Sequence, residues 1–483
     1  MKGRPLVRPW ALAAPLLVLM VCLPLLRPLR HPGAASVSDD EAARLATIAA
    51  LVQHHSLALD NNVDVGSGVP VPSTGLIVSH GRVYSNQPPT LAVLLAGPYW
   101  LLSQFGLTLR RAPVLAPYLL TLIGVTLPVA IAAGLIYKMG RLFELPRRKR
   151  CALAAAVVFG SGLLSYAVVL NPHAPAAALV LASAAGLIYV ANSRRPKRSL
   201  GWLAASGACC GFAFALDPPA AVFPPLLFAV IFTMKWPILR RVAGAGLFVI
   251  GVTPPLFLYL AQNYPITTDW KPAFMHSELV MARTGVHAEL ASWTTIGDSL
   301  TPPVHAASDD LDDDPPPVVT RWQSAVRMFE RLLLCLIGGH GLLTHFPVLI
   351  MGFFGMLAVF HRNWPASTKT LAIVSLAGGV AIIVGYAVCQ ADGRGGMFAN
   401  QWFIAFAPLN LFWAGAWLRR GHRARSWIMA GSLLTFSVAI SLIGATDPLP
   451  PQGYNHYTAA AAVHRLLAPI ATAGTSVTVA SRY

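Results

Sequence analysis

Residues 112–137 read APVLAPYLLTLIGVTLPVAIAAGLIY, and residues 138–150 continue KMGRLFELPRRKR. The first stretch carries no charged side chain, and it is longer than the roughly 20 residues a helix needs to cross a bilayer core. The second packs Lys138, Arg141, Arg147, Arg148, Lys149 and Arg150 behind it. An apolar run closed by a basic cluster is the mark of a spanning helix that ends on the cytoplasmic side. Working outward, the same unit recurs. Arg194, Arg195, Lys197 and Arg198 follow a run at 174–190. Lys235, Arg240 and Arg241 follow one at 220–234, and Arg419, Arg420, Arg423 and Arg425 follow one at 402–417.

Composition agrees. Of 483 residues, 55% are hydrophobic and only 11% charged, with a mean hydropathy of +0.59. A soluble domain carries about a quarter charged residues, so this chain cannot cover a water-facing surface. The net charge of +17 does not indicate nucleic acid, because the basic residues sit in short clusters between apolar runs. The six cysteines (Cys22, Cys151, Cys209, Cys210, Cys335 and Cys389) lie in or beside apolar runs without metal-ligand spacing. They read as small hydrophobes.

Eleven apolar runs are legible: 10–26, 112–137, 152–170, 174–190, 202–216, 220–234, 242–261, 342–360, 370–388, 402–417 and 427–443. They predict an all-α polytopic membrane protein of about 11 transmembrane helices over residues 1–445, with a short outside tail at 446–483. With the N-terminus cytoplasmic, every basic cluster falls inside, and two long loops, 27–111 and 263–330, fall outside. The first run, behind Lys2, Arg4 and Arg8, also resembles a signal peptide. Its length favours an uncleaved helix. The acids of 309–314 lack the glycine and the ligand spacing of a calcium loop and read as a solvated segment.

The first outside loop opens on Ser38-Asp39-Asp40-Glu41-Ala42-Ala43-Arg44, a dense charge cluster in a greasy chain. Asp40 and Arg44 are four apart and share a helix face. Leu45, Ile48 and Val52 continue the helical period, so residues 38–57 predict an amphipathic helix capped by Ser38 or Asp39. Acids in a first turn also suit the helix dipole. Downstream, Gly81-Arg82-Val83-Tyr84-Ser85-Asn86-Gln87-Pro88-Pro89 runs into an apolar segment. The proline pair fixes an extended entry that holds Tyr84, Asn86 and Gln87 at the membrane edge.

Together these motifs resemble the GT-C superfamily of integral-membrane glycosyltransferases, in the bacterial branch related to aminoarabinose transferases and protein mannosyltransferases. The resemblance rests on the acidic cluster with arginine after the first helix and on a helix ending Gln53-His54-His55-Ser56-Leu57-Ala58-Leu59-Asp60. It extends to the Pro-Pro motif, Leu95-Ala96-Gly97-Pro98-Tyr99, Gly339-His340-Gly341, and the link Gly395-Gly396-Met397-Phe398-Ala399-Asn400-Gln401. It implies transfer of a sugar from a polyprenyl-phosphate donor to an envelope lipid, glycan or protein acceptor on the outer side of a bacterial inner membrane.

By that resemblance Asp40 matches the catalytic base, with Asp39 the alternative register and Glu41 the second acid of the pair. Arg44, Arg82, Tyr84, Asn86, Gln87, Arg394, Asn400 and Gln401 are the candidates for substrate and phosphate binding. Related sequences usually carry lysine at the position of Gln87 and often arginine near Gln401. No cofactor and no metal ligand are expected beyond the lipid-linked sugar itself, and no nucleic acid. His54, His55, His173, Asp217, His340 and His345 read first as turn or helix-end residues. A lipid or glycan flippase and an inactive scaffold of the same fold are the rival readings. Charge-free helix interiors speak against an ion-coupled pump.

Overall fold

A computed structural model describes residues 9–30, 38–60, 76–193, 200–272, 275–276, 280–282, 321–389, 398–420 and 422–446. The chain is an integral membrane protein built almost wholly of helices. The helices that frame it are α1 (Pro9–Leu25), α2 (Asp39–His54), α3 (Thr90–Gln104), α4 (Leu115–Phe143), α5 (Arg147–Gly160) and α6 (His173–Ala191). They continue as α7 (Gly201–Leu216), α8 (Phe223–Phe232), α9 (Ile238–Thr267), α10 (Arg321–Ile337), α11 (Leu349–Phe360), α12 (Ala366–Cys389) and α13 (Ala424–Thr446).

The eleven apolar runs do not all fold as single long helices. Among the described residues, six helices are by themselves long and apolar enough to cross a membrane: α1 with its short extension to Arg30, α4, α6, α9, α12 and α13. A seventh candidate is the pair Ala325–His345 and Leu349–Phe360, bent by 92° at its break. The remaining apolar runs fold as shorter pieces, and the breaks have local causes. The run at 152–170 stops at Gly162, whose φ of +81° favours glycine, and resumes as Leu163–Tyr166. Pro218 and Pro219 open a short turn that takes in the start of the run at 220–234, and Pro224 and Pro225 then begin α8, because proline starts helices readily but cannot continue a preceding one.

Contacts sort the helix ends into two groups. At one end Arg27 at the close of α1 meets Glu41 at the start of α2 at 2.6 Å. Arg30 reaches the carbonyls of Ala445 and Thr446 at the end of α13. His173 at the start of α6 meets Asp217 at the end of α7 at 3.0 Å. At the other end Lys149 donates to the Leu418 carbonyl at 2.9 Å, and Arg419 pairs with Glu144 at 2.5 Å. The end that holds Glu41 and Asp217, each paired with a basic side chain, is called the acidic end; Lys149 and Arg419 mark the basic end, and the apolar core lies between them.

The first loop does not follow the all-α expectation throughout. β1 (Leu76–Ser79) and β2 (Arg82–Ser85) form an antiparallel hairpin with Ser79 opposite Arg82. His80 and Gly81 between them both have positive φ, +50° and +72°, as a tight two-residue hairpin turn requires. β3 (Val280–Ala282), from the second long loop, adds to the free edge of β1. The sheet order is β2-β1-β3, so the two loops are joined by backbone pairing.

Helix α2 has the expected position and cap. Ser38 accepts a bond from the Glu41 N–H at 3.4 Å. It packs into the bundle. Every residue from Glu41 to Ala50 is buried. Ala42, Ala43, Ala46, Ala49 and Ala50 let neighbouring segments approach on several sides, so the short apolar stripe understates the burial. Residues 283–320, with the acidic patch, and the tail from 447 lie outside the described residues.

Candidate active site

The acidic end of the bundle is organised around the first two turns of α2. Asp40 is half-buried, and its Oδ1 accepts a bond from Gln87 Nε2 at 2.9 Å. Its Oδ2 has no partner among the described residues. The other face of the Gln87 amide, Oε1, accepts from Arg44 Nη2 at 2.9 Å. Arg44 Nη1 donates to the carbonyls of Asp40 at 3.0 Å and Leu170 at 3.3 Å. Asp40, Gln87 and Arg44 thus form one connected unit, which the Pro88-Pro89 motif delivers from the hairpin side. The glutamine stands between the acid and the cation and bonds to both.

Arg44 is 5% exposed. Burial draws its guanidinium below its usual range, while the charges of Asp40, Glu41 and Asp217 oppose that shift. Asp217 therefore acts on this unit from α7. It is itself buried and bound to His173. The His173 ring packs edge-on against Tyr166, whose hydroxyl donates to the Phe398 carbonyl at 2.5 Å. This chain of contacts links the Asp40 unit to the start of the 398–405 link.

Glu41 does not make a pair with Asp40. Its Oε2 meets Arg27 at 2.6 Å, and its Oε1 accepts the Leu170 N–H at 2.9 Å. With 4% of its surface exposed and both oxygens engaged, Glu41 joins α1, α2 and residue 170. Both carboxylate oxygens of this member of the candidate pair are thus engaged within the protein. Asp39, the first residue of α2, is part-exposed.

The remaining candidates divide. Arg82 and Tyr84 are not brought to Asp40. They line a separate open cavity of about 400 Å³ with Leu51, His55, Val93 and Gln262, and Tyr84 donates to the Pro265 carbonyl at 3.1 Å. Leu51 and His55 lie three to four turns along α2 from Asp40, about 17–22 Å by helical rise. Asn86 sits between the two places, and its Oδ1 is buried without a partner. Asn400 is buried in a left-handed conformation, φ +49°, and caps the turn at Gln401–Ala405 by accepting the Trp402 N–H. That turn packs on α6 and on residues 218–222, so Asn400 and half-buried Gln401 belong to the acidic end. Arg394 lies outside the described residues.

Sequence reasoning undervalued three residues. Arg27 looked like the end of a span, and His173 and Asp217 like turn formers. Their only signal was position: each closes an apolar run at the acidic end, and His173 and Asp217 both border prolines in short turns. Nothing local in the sequence shows that two such turns meet.

No protein-family model matches the chain, and no curated protein matches it. Among solved structures it is similar to a crystal structure of the Archaeoglobus fulgidus oligosaccharyltransferase tethered by a disulfide to an acceptor peptide containing the NVT sequon. The TM-score is 0.49 at 10% sequence identity, over 92% of this chain and 56% of that one. The chain therefore spans about half the length of that protein.

Proposed function

We propose that this protein is a membrane glycosyltransferase of the GT-C type. It moves a sugar from a polyprenyl-phosphate donor to an envelope lipid, glycan or protein acceptor on the outer side of a bacterial inner membrane. The observation that carries this reading is Asp40: a part-exposed carboxylate at the end of an apolar helix bundle, fixed on one oxygen by Gln87 and, among the described residues, open on the other. A group so placed suits a general base.

In the proposed step the acceptor hydroxyl gives its proton to Asp40 Oδ2 and its oxygen bonds to the sugar's anomeric carbon. The bond from that carbon to the phosphate oxygen breaks, and the polyprenyl phosphate leaves with the electron pair. Gln87 orients Asp40. Arg44 supplies the nearest positive charge, and charge-assisted bonds to a phosphate are about twice as strong as neutral ones. Gln87, a neutral amide, contributes orientation in place of charge.

The test is an Asp40→Asn exchange in the full chain, with mass spectrometry of envelope glycans and glycolipids from cells with the gene, without it, and with the variant. A general base contributes about 10²–10⁴-fold. A sugar missing without the gene should therefore stay missing with the variant, at normal membrane insertion. Full restoration by the variant would remove Asp40 as the base. A lipid-linked sugar that changes leaflet with no new glycosidic bond would make the protein a flippase.

A further inference from the structure

At the basic end, away from the Asp40 unit and independent of its function, a cation is buried without a counterion among the described residues. Arg150, in the first turn of α5, exposes only 8% of its surface. Its stem lies on Gly140, where an added Cβ would come within 2.9 Å of Cγ. Its guanidinium stands over the Tyr137 ring at 4.6 Å. Nε and Nη1 are buried and meet no acceptor. Glu144 is the one acid between residues 112 and 216, and Arg419 takes its carboxylate. The other charged neighbours in sequence, Lys138, Arg141, Arg147, Arg148 and Lys149, are all basic. The face of one aromatic ring returns much less than the burial of an unpaired charge costs.

We propose that this slot binds the phosphate of an anionic membrane lipid, with Arg150 as its buried contact and Arg147, Arg148 and Lys138 as the surrounding field. A guanidinium fork matches a phosphate in geometry and charge, and basic pockets between spanning helices are places where lipid headgroups settle. The headgroup would reach Arg150 through the small part of its surface that stays exposed. The lipid source is favoured over free phosphate by what lies alongside. The slot is formed where α4 ends and α5 begins, and α1 packs on both. Leu12 and Leu16 of α1 and Ile131 of α4 are exposed by 47%, 53% and 62%, an apolar flank for acyl chains. Gly140 and Tyr137 make the slot: one gives the stem room and the other supports the charge.

The full chain is reconstituted in nanodiscs of phosphatidylcholine alone or with phosphatidylglycerol, and thermal unfolding and lipid retention by native mass spectrometry are measured. Phosphatidylglycerol should raise the wild-type midpoint and be retained over phosphatidylcholine. Arg150→Met should lose that response and retain phosphatidylglycerol about fivefold less well, the order expected for one cation at a lipid surface. In phosphatidylcholine alone it should be at least as stable as wild type, since it removes an unpaired buried charge. Arg150→Lys, which keeps the charge without the fork, should respond in part, and it serves if the methionine variant does not insert. Equal responses of wild type and variant to phosphatidylglycerol, or none in the wild type, would overturn the site. Stabilisation by inorganic phosphate in detergent equal to that by the lipid would overturn the lipid as its source.

Discussion

Asp40 and Glu41 are adjacent carboxylates with different surroundings. Asp40 keeps one oxygen open; Glu41 spends both on Arg27 and the Leu170 backbone. Glu41→Gln keeps the shape but removes the charge that strengthens both bonds. It should cost about 2–4 kcal/mol of stability, read as a lower unfolding midpoint in detergent. Sugar transfer per folded molecule should change little. A variant of unaltered stability that has lost transfer would return Glu41 to the chemistry. The charge cluster itself was legible, because three acids and an arginine in seven residues stand out where so few are charged. Which acid is open was not legible. That depends on Arg27 and Leu170, 14 and 129 residues away, and no helical period reports such partners.

Among the elements, the start of α2 was readable from Ser38 and the acids behind it, whereas its burial was not. An alanine-rich helix face packs equally well against lipid, water or protein, and only the neighbours decide. The hairpin was hidden for a similar reason: four-residue strands give too short an alternation, and His80-Gly81 is a less familiar turn than Asn-Gly. Packing of α7 on α9 depends on glycines. A Cβ at Gly207 would run into the Phe248 carbonyl, and one at Gly251 into the Ala204 carbonyl. With Gly207 and Gly211 four apart, this is the small-residue spacing that lets membrane helices approach closely. Gly207→Leu should force the two helices apart and cost about 1–3 kcal/mol or more, seen as reduced yield of monodisperse protein and a lower unfolding midpoint. Gly201→Leu, where nothing lies within 4 Å of the added carbon, is the control that should leave both unchanged.

At the scale of the whole molecule, hydropathy found the apolar segments but not their continuity. It counts residues, and a left-handed glycine, a proline pair or a sharp bend interrupts a run without changing its mean. The separation of charge survives that loss of detail. Arg82 lies on the hairpin beside the acidic end, and Arg148 begins α5 at the basic end; both are exposed. Between them, α4 is the one described helix that is by itself long and apolar enough to cross a membrane. The two positions should therefore face opposite compartments, with Arg148 cytoplasmic by its basic surroundings. The measurement uses a chain whose six cysteines are replaced by alanine, carrying either Arg82→Cys or Arg148→Cys. Intact spheroplasts are treated with a membrane-impermeant maleimide. Arg82→Cys should label without permeabilisation and Arg148→Cys only after it. Labelling of both from one side would mean that α4 does not cross. The reverse pattern would invert the protein and place Asp40 on the cytoplasmic face, where a base for outer-leaflet sugar transfer has no acceptor to serve.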